Sequence, residues 1–142
     1  MKIISILLTA FAGLLVTASF ARADDLEKIA GKWTVNRTND QGQAITQTIE
    51  IKKDKLTFKI IGSDGNVRLF AAGDVKLEKC GVFNVMKVTN IKAGETESEA
   101  NPVDDDRTLI YQLGSDTWTI ATNFDKEREQ PPRVDTYKKV AN

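Results

Sequence analysis

From Gly31 onward, short segments with a two-residue hydrophobic period alternate with clusters of turn residues. In the clearest segment, residues 45–52, three isoleucines and Gln47 occupy every second position, and polar residues fill the positions between them. This period places alternate side chains on opposite faces of a β-strand. Turn signals, the strongest at Ser63-Asp64-Gly65-Asn66, recur at intervals of roughly 8–12 residues, which is typical of all-β sandwiches and barrels.

The order of these segments predicts how the strands connect. About eight or nine short strands follow one another without a long crossover, which favours an antiparallel up-and-down barrel of about eight strands. Closure of the barrel also removes edge strands that would otherwise be free to pair with other chains. Leu26 and Ile29, spaced i, i+3 and followed by Gly31, predict a short N-terminal helical turn that plugs one end of the core.

The alternation also predicts which side chains face inward. Gly73 indicates a bend or bulge, and the pattern slips near Val85-Met86, which predicts a second bulge. The predicted inward-facing residues are Trp33, Val35, Ile45, Ile49, Ile51, Leu56, Phe58, Ile60, Leu69, Val75, Leu77, Leu109, Tyr111, Leu113, Trp118, Ile120 and Phe124.

The first 23 residues have the features of a secretory signal peptide. Lys2 precedes an apolar stretch from Ile3 to Val16, and Ala21-Arg22-Ala23 provides the small residues that signal peptidase requires. The apolar stretch is short for a membrane span and no basic cluster follows it, so we expect no stable membrane insertion after cleavage. The sequence therefore predicts a signal peptide, 1–23, and a single periplasmic or secreted domain, 24–142.

Composition excludes several classes of function. The chain has 20 basic and 20 acidic residues, which argues against the clustered positive charge of a nucleic-acid-binding protein. It has no histidine, the commonest general base and metal ligand, and no arrangement typical of nucleophilic catalysis. We therefore predict no enzymatic activity and no cofactor. Cys80 cannot form an internal disulfide, and we interpret it as a half-buried residue at a strand end.

An acidic segment lies between Ala93 and Arg107, in the longest predicted loop. Its spacing does not match a calcium-binding loop, in which ligands alternate around a conformational glycine. We interpret the segment as a solvated loop and predict no metal site. Its acidic residues are Glu95, Glu97, Glu99, Asp104, Asp105 and Asp106.

Three short motifs resemble those of lipocalin-like proteins, in particular a group of uncharacterised, often exported bacterial ones. They are Gly31-Lys32-Trp33 after Leu26, then Asp54-Lys55-Leu56-Thr57, then Ile110-Tyr111-Gln112-Leu113-Gly114-Ser115-Asp116-Thr117. The resemblance spans nearly all of the predicted mature chain and implies a lipocalin-like barrel.

The chain departs from many lipocalins at two points. It lacks a T-D-Y triplet between later strands, since Asp135-Thr136-Tyr137 has another order and comes too late. Lipocalins often stack a basic residue from near the C-terminus over the first-strand tryptophan. Arg133, Lys138 and Lys139 are all candidates for this position here.

Four residues form the predicted ligand-binding set: Arg37, Gln47, Tyr111 and Trp118. Arg37, Gln47 and Tyr111, together with Thr122, would place polar groups on a mostly apolar inner face, as in a binding cavity. They could equally lie at wet strand ends with a structural role. Trp118 lies next to a turn where a barrel mouth would be expected. A barrel of eight strands either is filled by its side chains or holds one small ligand.

Two functions follow from these observations. The first is an exported lipocalin-like protein that binds a small hydrophobic or amphipathic ligand, at the end opposite Leu26 and Trp33. The second is a packed barrel that binds or inhibits a protein through its loops, 93–107 and 125–133. Small exported barrels that inhibit proteases usually carry a disulfide, which this chain lacks.

Overall fold

The computed structural model describes residues 20–141, and most of the predicted signal peptide, 1–23, lies outside the described residues. The described part contains one helix and nine strands. They are α1 (Phe20–Ile29), β1 (Gly31–Thr38), β2 (Ala44–Lys52), β3 (Lys55–Gly62), β4 (Val67–Cys80), β5 (Phe83–Gly94), β6 (Asn101–Pro102), β7 (Arg107–Leu113), β8 (Thr117–Thr122) and β9 (Arg133–Lys139).

The strands close into an eight-stranded antiparallel barrel, which confirms the predicted fold class. The sheet order is β4-β3-β2-β1-β9-β8-β7-β5-β6, and β4 also pairs with β5. The eight long strands therefore form a complete ring, while the two-residue β6 pairs with the end of β5. Apart from the β1–β9 pairing that closes the ring, each of these strands pairs with its neighbour along the chain.

The two ends of the barrel differ in what covers them. The closed end, defined here as the end at which β1 begins, lies next to α1 and contains the β2–β3, β4–β5 and β7–β8 turns. The open end contains the β1–β2 and β3–β4 turns and two longer loops, 95–106, which includes the short strand β6, and 123–132. Ile29, at the end of α1, is fully buried and Leu26 packs against the core, so the predicted helical plug is confirmed.

The inner face can be followed through the strand register, because directly paired residues share a face. The inner positions nearest the closed end, from β1 to β4, are Gly31, Ile51, Leu56 and Gly73, and the row after them is Trp33, Ile49, Phe58 and Ala71. The next inner positions toward the open end are Val35, Gln47, Ile60 and Leu69. Most of the predicted inward-facing residues lie in or against the core. The prediction for Phe124 is wrong, because this residue follows the end of β8 and is 41% exposed.

One of the two predicted bulges is confirmed and the other is wrong. At Gly73 the β4–β5 register shifts, and a Cβ there would lie 2.9 Å from the Thr89 carbonyl oxygen. At Val85-Met86 the register runs unbroken. The hydrophobic pattern slips there because both side chains are buried, Met86 on the inner face opposite Leu77 and Val85 on the outer face.

Cys80 is the last residue of β4. The predicted strand-end position is confirmed, but the side chain is exposed rather than half-buried. The strand ends here because Gly81 has a positive φ of 58°, which turns the chain into β5.

Candidate functional site

Large aromatic side chains fill the closed half of the barrel. The ring centroids of Trp33 and Trp118 are 5.5 Å apart, and those of Tyr111 and Trp118 are 6.4 Å apart, with Tyr111 edge-on. The Trp33 Nε1 donates a hydrogen bond to the Ile29 carbonyl oxygen at 2.8 Å, which ties the first strand to the end of α1. Such a cluster combines a large buried area with favourable ring geometry, so this half serves stability.

Tyr111 also connects the barrel interior to the helix. Its hydroxyl donates a hydrogen bond to the Asp25 carboxylate at 3.0 Å. Burial, together with this bond to a carboxylate, raises the pKa of Tyr111 well above its ordinary value, so the phenol stays protonated. The residue is 4% exposed, and its polar group is already occupied.

Lys139 is the basic residue that lies over the first-strand tryptophan. Its Nζ is 5.2 Å from the Trp33 ring centroid and donates to the Lys28 carbonyl oxygen at 3.4 Å. Lys139 pairs directly with Trp33 across the β1–β9 closure, so the two side chains share the inner face. The structure therefore selects Lys139 from the three candidates, Arg133, Lys138 and Lys139.

The predicted ligand-binding residues fall into two groups. Tyr111 and Trp118 lie together in the closed half, where Trp118 is fully buried. The β7–β8 turn beside Trp118 lies at the closed end, so the expected position of Trp118 near the mouth is wrong. Arg37 and Gln47 lie toward the open end. The structure brings these residues together in pairs and does not form one site from all four.

Arg37 belongs to an ion cluster on the inner face of the mouth. Its Nη1 lies 2.9 Å from each carboxylate oxygen of Asp135, and the Arg133 Nε lies 3.1 Å from Asp135 Oδ2. The Asp135 side chain is 10% exposed, whereas the side chains of Arg37 and Arg133 are 27% and 33% exposed. One carboxylate therefore serves two guanidinium groups, and both arginine side chains remain partly exposed.

Gln47 and Tyr137 form a buried polar pair on the closed-end side of this cluster. The Tyr137 hydroxyl donates a hydrogen bond to Gln47 Oε1 at 3.1 Å, and the residues are 4% and 3% exposed. Burial raises the pKa of Tyr137 well above its ordinary value, and nearby Asp135 adds to this effect. The pair joins β9 to β2 across β1 and forms the floor of the mouth.

Apolar side chains line the mouth from β1 to β4: Val35 and Ile45 adjoin Arg37, and Ile60 and Leu69 lie on the next two strands, farther from the arginines. Val35, Ile45 and Ile60 are half-buried inner residues, and Leu69 is 37% exposed although it occupies an inner position. Inner residues this exposed indicate that the barrel is not filled to its rim. We call these four residues the apolar wall, and Arg37, Arg133 and Asp135 the charged wall.

Two buried polar atoms next to the charged wall make no hydrogen bond among the described residues. They are Thr122 Oγ1 and Arg133 Nε, the latter at ion-pair distance from Asp135 but not aligned for a hydrogen bond. Thr122 and Arg133 are direct register partners at the open ends of β8 and β9. Unpaired buried polar atoms are uncommon because they lose hydration without a replacement, so a partner at this place would stabilise both.

The two long open-end loops are joined by Arg128. Its guanidinium, 7% exposed, bonds to both oxygens of Asp125, to Asp105 and to the Asp106 carbonyl oxygen. Burial opposes ionisation of Asp125, but the bonds from Arg128 and from the Thr108 amide outweigh it and lower its pKa to about 2. The acidic loop is thus held by arginines at one end.

The rest of the 95–106 loop is mostly exposed, in agreement with its interpretation as a solvated segment. Within residues 20–141, no group of three or more acidic or cysteine side chains has the arrangement of a metal site. No helix in this part of the chain combines the length and apolarity needed to cross a membrane.

The sequence analysis missed Asp135 and Tyr137, the partners of Arg37 and Gln47. Their signal is the inverted pattern of β9, in which Arg133, Asp135 and Tyr137 face inward while Val134 is 66% exposed. A cation predicted on an inner face requires a carboxylate nearby, and Asp135 lies in the strand that must close the barrel.

No protein-family model, curated protein or solved structure matches this chain.

Proposed function

We propose that this protein is an exported lipocalin-like barrel that binds a small amphipathic molecule at its open end. The observation that carries the proposal is the division of the mouth into an apolar wall, which runs from β1 to β4, and a charged wall on β1 and β9. Ligand sites of this kind combine apolar lining with a few polar groups that fix orientation.

The site in this proposal is shallow rather than a deep cavity. Trp33, Trp118 and Tyr111 occupy the closed half, and the Gln47–Tyr137 pair forms a floor above them. A ligand would place its apolar part along Ile60 and Leu69 and its polar end against the arginines. Of the predicted site residues, Arg37 would then contact the ligand, Gln47 would support the floor, and Tyr111 and Trp118 would be structural.

The N-terminal sequence supports export to the periplasm or the external medium. Expression of the full chain in an exporting bacterial host tests this directly. We expect the recovered protein to begin at Asp24 and to be absent from the cytoplasmic fraction. Unprocessed protein retained in the cytoplasm would contradict export, without bearing on ligand binding.

Binding is tested by uptake of the neutral fluorescent probe N-phenyl-1-naphthylamine, with native mass spectrometry of the same protein to detect a co-purified ligand. Leu69→Gln introduces a polar group into the apolar wall, and we expect it to weaken probe binding about fivefold or more. Val134→Gln is the matched control, because Val134 is exposed on the outer face of β9. Absence of probe uptake by the unaltered protein would contradict the proposal, as would equal effects of the two variants.

The second candidate function is protein binding through the open-end loops. It is favoured by the bonds from Arg128 to Asp105 and to the Asp106 carbonyl oxygen, which fix loops 95–106 and 123–132 to each other. The loops expose Val103 and Phe124, at 40% and 41%. Under this hypothesis, the double variant Val103→Ser/Phe124→Ser loses a protein partner while probe uptake is unchanged. If the protein instead binds a ligand at the mouth, the double variant should keep its affinity for the co-purified ligand.

A further inference from the structure

The charged wall contains more hydrogen-bond donors than its own acceptor can satisfy. Asp135 contributes one carboxylate, whereas Arg37 and Arg133 contribute two guanidinium groups, each with five N–H donors. The cluster alone carries a net charge of +1. The next charged inner residue along the rim, Arg107, is paired with Asp105, so this pair leaves the net charge of the cluster unchanged.

We propose that the open end is a carboxylate-binding site, and that the ligand is an aliphatic monocarboxylate with its carboxylate on Arg37 and Arg133. This proposal rests on the proposed function and specifies the ligand class of the same site. Guanidinium groups bind carboxylates through two parallel N–H···O bonds, which gives both affinity and orientation.

Three observations support an anion at this position. The Arg133 Nε is buried without an aligned acceptor among the described residues, and the adjacent Thr122 hydroxyl is also unpartnered. Both groups can donate a hydrogen bond to an oxygen anion. Within residues 20–141, Arg37 contacts Asp135 through Nη1, which leaves Nη2 and Nε of this guanidinium for a ligand.

The apolar wall explains why the anion should carry an aliphatic chain. Ile60 and Leu69 lie in the same mouth, farther from the arginines, and remain partly exposed, so they would be covered by a ligand tail. A small inorganic anion would satisfy the arginines and leave these side chains in water. A neutral lipid would cover them and leave the donors unpaired.

Three compounds with the same ten-carbon chain separate these possibilities: decanoate, decanol and decyltrimethylammonium. Each is measured by displacement of the neutral probe at neutral pH. We expect decanoate to bind about tenfold more tightly than decanol, the equivalent of one charge-assisted hydrogen bond, and the cation to bind most weakly. The advantage of decanoate should decrease between about 0.05 M and about 0.5 M salt, because screening weakens partly exposed charge pairs.

Substitutions then identify the residues that give decanoate its higher affinity. Arg133→Gln and Arg37→Gln should each reduce decanoate affinity about tenfold and leave decanol affinity unchanged. Asp135→Asn, which removes the competing carboxylate, should tighten decanoate about three- to fivefold. Arg68→Gln is the matched control, because Arg68 is exposed and paired with Asp64 outside this cluster. Circular dichroism of each variant confirms that it is folded.

The outcomes distinguish the two proposals. Displacement by none of the three compounds, from a protein that also takes up no probe, contradicts the proposed function itself. Equal affinity for decanoate and decanol overturns the carboxylate site while ligand binding stands. Tightest binding of decyltrimethylammonium also overturns it, since Asp135 would then be the recognition group.

Discussion

The closed and open halves of the barrel use the same strand pattern for different purposes. At the closed end, Trp33, Trp118 and Ile29 are at most 1% exposed, and Trp33 Nε1 is hydrogen-bonded. At the open end, inner positions hold Arg37, which keeps 27% of its side chain exposed, and Leu69, which is 37% exposed. Strand β1 shows the whole change within three inner residues, from Trp33 through Val35 to Arg37.

Inward orientation therefore does not by itself indicate a core residue. An inner residue near α1 is sealed by the helix and the aromatic cluster, whereas an inner residue near the long loops remains in contact with water. Stability should therefore depend mainly on the closed half and binding mainly on the open half. Substitutions of inner barrel residues in one half should act mainly on the property of that half.

The largest expected effect is at Trp118. Trp118→Ala removes a fully buried ring that contacts both Trp33 and Tyr111, and we expect it to lower the free energy of unfolding by about 3–5 kcal/mol. Urea unfolding followed by circular dichroism measures this loss. A loss below about 1 kcal/mol would contradict the assignment of the closed half as the main source of stability.

Ligand binding provides a second test of the separation between the two halves. At low temperature, where Trp118→Ala remains folded, its probe affinity should equal that of the unaltered protein. Arg133→Gln should show the opposite behaviour, with weakened decanoate binding and little change in unfolding free energy. If Trp118→Ala lost binding while folded, the functional separation of the two halves would be wrong.

The fold could be predicted from local pattern because each strand shows its own alternation and each turn its own chemistry. The site could be predicted only in part. Arg37 and Gln47 stand out as polar residues at inner positions, but their partners Asp135 and Tyr137 are about 90 or more residues away in the sequence. Only closure of the ring through β1 and β9 brings them together.

The position of Trp118 illustrates the same limit. A turn next to a strand can lie at either end of a barrel, and local sequence does not reveal which end the helix covers. The strand register decides this, because it pairs Trp118 with Leu113 and with Tyr137, toward the closed end. The prediction for Phe124 is wrong for a related reason. Strand β8 ends at Thr122, and beyond the end of a strand the alternating pattern no longer indicates which side chains face inward.

A double-mutant cycle tests the floor between the halves. Gln47→Leu leaves the buried Tyr137 hydroxyl without its acceptor, and Tyr137→Phe leaves Gln47 without its donor, so each should cost about 1–3 kcal/mol. The double variant should be less destabilised than the sum of the single ones, because no buried polar group is then left unpaired. Additive losses would show that the two side chains do not stabilise each other.

The loops of the open end should respond to acid. The pKa of Asp125 is about 2 in the folded protein, compared with an ordinary value of 3.8, so its contribution to stability is present above pH 4. That contribution is lost as the pH falls through about 2, because protonation breaks the ion pair with Arg128. We expect the free energy of unfolding to decrease over this interval.

Two variants isolate this acid response from that of other carboxylates. Asp125→Asn should flatten the decrease between about pH 4 and about pH 2, and Arg128→Gln should lower stability at neutral pH by about 1–2 kcal/mol. Glu127, an exposed carboxylate in the same loop, provides the control substitution Glu127→Gln. An unchanged acid profile in Asp125→Asn would show that the loop ion pairs do not contribute to folding.

The smallest expected effect is at Lys139, over the Trp33 ring. Lys139→Gln removes a cation–π contact at a largely exposed site and a weak bond to the end of α1, so we expect a loss of about 0.5–1 kcal/mol. Lys138→Gln is the matched control, because Lys138 is the neighbouring lysine on the outer face. Thermal unfolding of the two variants compares them directly. If Lys138→Gln were equally destabilising, the position of Lys139 over the Trp33 ring would contribute no stability beyond that of a positive charge. The aromatic cluster alone would then account for the stability of the closed half.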